Sequence, residues 1–239
     1  MGAVAIAPDG TWLATASWDR TARIWSAEGT PLATLIGHEN GVAAVAIAPD
    51  GSWLATASWD KTARIWSAEG APLATLAGHR DQVYAVAIAP DGSWLATVSW
   101  DSTARLWNAD GTPRATLTGH RHGVVAVAIA PDGTWLATAA PDKAVRLWNA
   151  DGTPRAILSG HRNWVLAVAI APDGTWLATA SGDKTVRLWN ADGTPRATLT
   201  GHRNWVGAVA IAPDGTWLAT ASGDKTARIW SAGSVPSSP

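Results

Sequence analysis

The sequence predicts an all-β protein made of six copies of one four-strand unit, and three observations lead there. The triplet Pro-Asp-Gly recurs at Pro8, Pro49, Pro90, Pro131, Pro172 and Pro213, a constant spacing of 41 residues with no insertion. A fixed period of that size marks a repeat architecture, in which each copy is one supersecondary unit that buries its apolar face on its neighbours. Within a copy, short apolar runs of period two alternate with turn chemistry, as strands joined by tight turns require.

The second copy shows the four strands in order. Val42 to Ala48 sets Val45 and Ile47 against Ala44, Ala46 and Ala48. That run is apolar on both faces, which predicts an inner strand covered on both sides. Pro49-Asp50-Gly51 then reverses the chain, because proline fixes φ and glycine accepts a positive φ. Ser52 to Ser58 is the second strand, Trp59-Asp60-Lys61 the next turn, Thr62 to Ser67 the third strand, and Glu69-Gly70 the turn after it. Pro72 to Leu76 is the fourth strand. A proline cannot donate to a ladder, so Pro72 suits the start of an outer, edge strand. Gly78-His79 leads into the next copy.

Composition narrows the function classes. The chain has 239 residues, enough to bury a large core, and the unbroken repeat argues for one body. Hydrophobic residues make up 47%, yet no run approaches the roughly 18 apolar residues of a membrane span. No basic segment followed by an apolar one stands at Met1, so no secretion signal is expected. A net charge of -1 argues against an electrostatic grip on nucleic acid or on an anionic membrane. With no cysteine, disulfides, thiol catalysis and cysteine metal sites are excluded. A cytoplasmic protein is the expectation.

A Gly-His pair, about thirty residues, and a closing Trp, with a Ser-x-Asp-x-Thr turn between them, resembles the WD-repeat β-propeller family. The resemblance runs from Gly2 to Trp230, and six-fold repetition makes it specific. The third strands end in Trp-Ser or Trp-Asn, as at Trp25-Ser26 and Trp107-Asn108, where the family has Trp-Asp. The resemblance implies a six-bladed, all-β propeller of four-stranded antiparallel blades over residues 1–230. A disordered polar tail over 231–239 is expected to follow. Counting strands gives six inner, six second, six third and five outer ones, so the last blade lacks its outer strand in this chain. That implies either the C-terminal part of a longer protein or an open blade edge near Arg228 through which a homo-oligomer forms.

The resemblance also implies a structural hydrogen-bond set in each blade. In the third copy it reads His79, Ser99, Asp101 and Trp107, with Thr97 as an alternative hydroxyl two residues away on the same strand face. The same residue types compose a nucleophilic triad. Five near-copies of one enzyme site are implausible, however, and a hydroxyl capped by Trp has no room for substrate. The expectation is therefore no enzyme, no catalytic residue, no cofactor and no metal. Copy one lacks the His, and copy four carries Ala140 and Ala144 where the others have Ser and Thr. Blades one and four are expected to open first.

If the repeated residues are framework, function belongs where the copies differ. They differ just before the valine that opens the inner strand, just after it, and just before the turn aspartate. The five Trp outside the repeat and the sole Tyr fall on these positions: Trp18, Trp59, Trp100, Tyr84, Trp164 and Trp205. In the family this end of the blades surrounds the channel where partners dock. Clustered exposed aromatics gain much on being covered. The expected function is a non-catalytic scaffold that binds a protein or peptide at an aromatic-rich channel face. Alternatives at this stage are a sugar-binding, lectin-like propeller, a self-assembling repeat segment with no ligand, and indoles that merely finish the core.

Overall fold

A computed structural model of the chain describes residues 2–233. They form 23 strands, and the chain divides into two compact units, Met1–Gly119 and His120–Pro239. The first unit holds three four-stranded sheets: β1 (Ala3–Ile6) to β4 (Pro31–Leu35), β5 (Val42–Ile47) to β8 (Pro72–Ala77), and β9 (Val83–Ile88) to β12 (Pro113–Leu117). The second holds β13 (Ala126–Ile129) to β16 (Pro154–Leu158) and β17 (Val165–Ile170) to β20 (Pro195–Leu199). Its third sheet has only β21 (Val206–Ile211), β22 (Trp217–Ser222) and β23 (Ala227–Ser231). Every sheet is an antiparallel meander in sequence order. This is the six-bladed all-β propeller class that the repeat predicts, the last blade having three strands among the described residues. Ser231 closes β23, and the Ala232 N–H donates to the Thr216 carbonyl at 2.8 Å. Positions 234–239 of the expected tail lie outside the described residues.

Within each unit, successive blades pack through one interface, written repeatedly. In the first unit Ile24 and Leu35 share a buried cluster with Val45, Leu54 and Trp66, and Ile65 and Leu76 share one with Leu95 and Trp107. In the second unit Leu147 and Leu158 join Val165, Leu177 and Trp189, while Leu188 joins Val206 and Leu218. Each such side chain contributes roughly 1.5–3 kcal/mol on full burial. The middle strands are therefore covered on both faces, as Trp94–Ser99 shows along its whole length. The outer strands bury little beyond one leucine.

Two kinds of bulge aim the variable residues, and blades two, three and five have both. Where the inner strand meets the second, Val42 pairs with Ser58 and Ala44 with Ala57, so Ala43 is the extra residue. Tyr84, Leu166 and Gly207 occupy the same bulge in the third, fifth and sixth blades. A bulge bends the strand and re-aims the unpaired side chain. At the outer strand the extra residue is Leu32 or Leu73 in the first two blades and Arg114, Arg155 or Arg196 in the next three. The arginines lay their guanidinium carbons 5.2–5.5 Å from the ring centres of Trp94, Trp135 and Trp176. Those indoles are buried, whereas Trp12 and Trp53, beside leucine, are half-buried.

The turn before the third strand is tied back to the start of the inner strand by two hydrogen bonds. One is backbone: Trp59 N–H to the Gly41 carbonyl, Trp100 to Gln82, Gly182 to Trp164 and Gly223 to Trp205, at 2.8–3.0 Å. The other is a serine hydroxyl: Ser58 to the Asn40 carbonyl, Ser99 to Asp81, Ser181 to Asn163 and Ser222 to Asn204, at 2.9–3.2 Å. Blade four has neither, because Pro141 carries no N–H and Ala140 no hydroxyl. Its inner strand accordingly starts late, at Ala126, without the bulge. The double variant Ala140→Ser/Pro141→Gly restores both ties. It should raise the urea midpoint by the equivalent of about 1 kcal/mol, two hydrogen bonds less the lost proline rigidity. Slowed amide exchange at Val124 and Val125 should accompany this, and an unchanged midpoint would refute the assignment.

Candidate functional site

The odd aromatics of the first unit form one contiguous row across three blades. Trp18 stacks on Trp59 with ring centroids 5.9 Å apart, Trp59 meets Tyr84 at 6.4 Å, and Tyr84 meets Trp100 at 5.8 Å. Tyr84 reaches both indoles because it is the bulge residue of β9. Gly41 is buried beneath the row, and a methyl group there would stand 3.1 Å from the Trp59 ring and 3.3 Å from the Trp18 Cα. Trp18 is 63% exposed at one end and Trp100 43% at the other. Trp59 lies half-covered in the middle, its Nε1 buried with no hydrogen-bond partner.

In the second unit Trp164 and Trp205, both exposed, line an open pocket of about 590 Å³ with Leu166, Asn163, Asn204 and Gly182. Leu166 is again a bulge residue. Each asparagine is oriented locally: the Asn163 Oδ1 accepts from the Trp164 N–H at 2.8 Å, and the Asn204 Oδ1 from the Trp205 N–H at 2.9 Å. Their amide nitrogens point to the Gly182 and Gly223 carbonyls at 3.4 and 3.3 Å. A methyl at Gly207 or Gly223 would collide with the Trp205 ring.

These placements expose an exchange between two positions that are backbone partners. Blades two and three read Gly41 with Trp59 and Gln82 with Trp100, whereas blades five and six read Trp164 with Gly182 and Trp205 with Gly223. Each of these four blades presents one indole from one or other member of a hydrogen-bonded pair, and blade four, with Gly123 and Pro141, presents none. The sequence reading picked out the aromatic residues but missed Asn163, Asn204, Leu166 and the glycines that make room. The repeated Asn-Trp dipeptide was the available signal.

Beneath this surface lies the polar framework. Thr97, not Ser99, is its central hydroxyl: the Trp107 Nε1–H donates to Thr97 Oγ1 at 2.9 Å, and Thr97 lies 2.8 Å from the His79 Nε2. The His79 Nδ1 lies 2.8 Å from the Asp101 Oδ2. Ser99 instead ties the turn, accepting from the Asp101 N–H at 3.1 Å. An indole only donates, so the threonine proton goes to Nε2 and the imidazole carries its own proton on Nδ1. The same chain recurs at His38, His120, His161 and His202. Blade four therefore keeps it, through Thr138 and Trp148, contrary to the expectation from Ala140 and Ala144; what it loses is the turn bracing. Blade one has the Trp25 to Thr15 bond alone. Each threonine of the five chains is buried and bonded on both sides, closed to any substrate.

Electrostatics hold the chain in that proton arrangement. Burial pushes His79, His120 and His161 below the ordinary imidazole value, outweighing the aspartate that each ring faces. Burial alone would raise Asp183, but the Thr185 hydroxyl, the Arg162 N–H and His161 all favour its charged form and hold it at about 2. Asp60, Asp101 and Asp142 are lowered against burial in the same way. Among the described residues, no three His, Asp or Glu side chains gather as a metal cage.

A family model described as "WD domain, G-beta repeat" matches residues 2–26, 29–67, 70–108, 111–149, 152–190 and 193–231. The chain belongs to the WD40 family. The comparison with curated proteins returned no match. WD40 repeats generally form protein-interaction scaffolds and are typically non-catalytic, and the closed polar chains suit that framework role. The Trp-Ser and Trp-Asn endings leave the WD40 hydrogen-bond chain intact, since the indole of that dipeptide is the donor.

Two outcomes test this WD40 framework. Thr179→Val strands the Trp189 N–H and the His161 Nε2 and should cost roughly 2–5 kcal/mol in the denaturant midpoint. Ser181→Ala should cost about 1 kcal/mol, and equal losses would contradict the hydroxyl assignment. The second outcome concerns pH. At His79, His120 and His161 the unfolded chain takes up protons near 6.5 while the folded rings resist, so the stability they contribute is complete above that value and falls as pH drops below it. The aspartates add a further loss below 3.8, toward about 2. A guanidinium midpoint that rises from about pH 7 to about pH 5 would overturn this reading.

Proposed function

We propose that the chain is a non-catalytic scaffold that binds a protein or peptide at the blade ends carrying Trp18, Trp59, Tyr84, Trp100, Trp164 and Trp205. The observation that carries the reading is the exchange of Trp and Gly between backbone-paired positions, which keeps one indole at the blade end. Packing does not require it: blade four closes its core without an indole there, and four of the five odd Trp remain substantially exposed. Aromatic side chains of this kind supply large contact area at small entropic cost and dominate protein interfaces.

The pocket between Trp164 and Trp205 favours an apolar peptide side chain over a sugar. A sugar site needs several free hydrogen-bonding groups around the stacking ring. Here each asparagine Oδ1 already accepts from a neighbouring N–H and each Nδ2 faces a glycine carbonyl of its own blade, which leaves two partly used amides in a lining that is otherwise Trp, Leu and Gly.

Selection from a phage-displayed random peptide library on the immobilised protein should yield peptides that perturb indole fluorescence. Trp164→Ala and Trp205→Ala should each weaken a selected peptide on the order of tenfold or more. Absence of enriched peptides, or binding indifferent to all five odd Trp, would refute the proposal. Trp-dependent binding on a glycan array in its place would establish the lectin reading.

A further inference from the structure

Blade three holds a polar pocket that the aromatic surface does not use. Arg80, Arg105, Thr116 and Thr118, with Asp101 and Thr103, line a space of about 250 Å³. Arg105 on the third strand pairs with Thr116 on the outer strand, and Arg80 enters from the loop before the inner strand, where its N–H donates to the Asp101 Oδ2 at 2.9 Å. The Arg105 guanidinium carbon lies 6.0 Å from the Trp107 ring centre, and the group covers Gly78, where a methyl would stand 2.6 Å from one of its η-nitrogens. Its Nε is buried with no hydrogen-bond partner. Among the described residues neither Arg80 nor Arg105 is ion-paired. The one carboxylate of the lining is already engaged: Asp101 accepts from the Arg80 and Thr103 N–H groups and from the Thr103 hydroxyl, and it faces His79.

We infer that this pocket binds a phosphoryl group. Two guanidinium groups and two threonine hydroxyls meet there as donors with no acceptor supplied by the chain, and a tetrahedral dianion takes several such donors at once where a carboxylate fills a single fork. A buried Nε without a partner is costly, and an oxyanion removes that cost. The same orphan recurs at Arg64, Arg146 and Arg187, so the residues around it decide which blades can use it. Blade five repeats the full set as Arg162, Arg187, Thr198 and Thr200, with the Arg187 guanidinium lying over Gly160. Blade two has Glu39 in the place of Arg80 and Ala77 in that of Thr118, and blade four has Ile157 in that of Thr116. One site therefore belongs to blade three and one to blade five. The small volume and a net charge of -1 on the chain suit a single phosphoryl group and not a polyanion such as a nucleic acid. The pocket shares no side chain with the aromatic surface, so it stands independently of the peptide-binding proposal.

Calorimetric titration and phosphorus NMR with inorganic phosphate, at low ionic strength, read the result. Phosphate should occupy two sites per chain with a dissociation constant on the order of 1 mM or tighter. Arg80→Glu copies the charge of blade two and should remove one site, Arg162→Glu the other, and the double variant both, with unchanged circular dichroism spectra. Glu39→Arg combined with Ala77→Thr completes the set in blade two and should add a third site, a gain that no loss of folding can mimic. Trp164→Ala and Trp205→Ala should leave phosphate uptake unchanged, which keeps a failure here distinct from a failure of the peptide reading. A phosphoserine peptide and its unphosphorylated form separate the two sources of the group: a phosphopeptide held more tightly than inorganic phosphate assigns the pocket to a phosphorylated protein, and one held equally or less tightly assigns it to a small phosphate. A native chain that takes up no phosphate overturns the inference, as does uptake that survives in the double variant.

Discussion

A threonine hydroxyl held between an indole and an imidazole is the constraint on which each complete blade depends. In blade five Thr179 accepts from Trp189 on the third strand and donates to His161 in the loop that enters the blade, while His161 donates to Asp183 in the turn. One chain of bonds thus fixes four separate segments. Its direction is not free, because the indole has only a donor and the ionised aspartate only acceptors. Each bond is worth on the order of 1 kcal/mol, but breaking any one strands a buried partner, so the chain acts nearly as a unit. Protonating the imidazole at Nε2 would leave Thr179 facing two donors, with only the Arg187 carbonyl at 3.4 Å to receive its own proton.

That rigid framework lets the ends of the blades vary. The bulge after the opening valine adds a residue without shifting the ladder beyond it, so Ala43, Tyr84, Leu166 and Gly207 interchange with no change to the strand that follows. The backbone bond between turn and inner strand uses only N–H and C=O, so either partner can carry the indole. Glycine on the other member makes room in two of the four blades, where Gly41 lies against Trp59 and Gly223 against Trp205, while Trp100 stands opposite Gln82.

Much of this was legible in the sequence because the signals are local. The Pro-Asp-Gly turns and period-two runs place all 23 strands, and Pro72 opens an outer strand as its missing N–H requires. What was not legible depends on register. Thr97 and Ser99 point to the same strand face two residues apart, and only the bulge that pairs Ser99 with Val83 separates the framework hydroxyl from the turn hydroxyl. The meaning of Pro141 was hidden for a similar reason, since its missing N–H matters only once the turn is known to donate to the inner strand. The residue after each turn aspartate adopts positive φ, as Lys184 does at 73°, although no glycine advertises it. An Asp carboxylate that accepts from the N–H two residues on, as Asp183 does from Thr185, holds the chain there without one.

Repetition carries a consequence at its ends. In a linear array each unit's stability is its own plus that of its junctions, so a terminal unit with one junction is weaker than an internal one. Among the described residues blade six has three strands, and Ile229, Ala227 and Trp217 are exposed where their counterparts Ile24, Ala22 and Trp94 are buried. Burying one isoleucine is worth roughly 1.5–3 kcal/mol, so a blade face left uncovered forgoes several such contributions. A repeat so uniform therefore writes the junctions between neighbouring blades of each unit with the same residues in the same register.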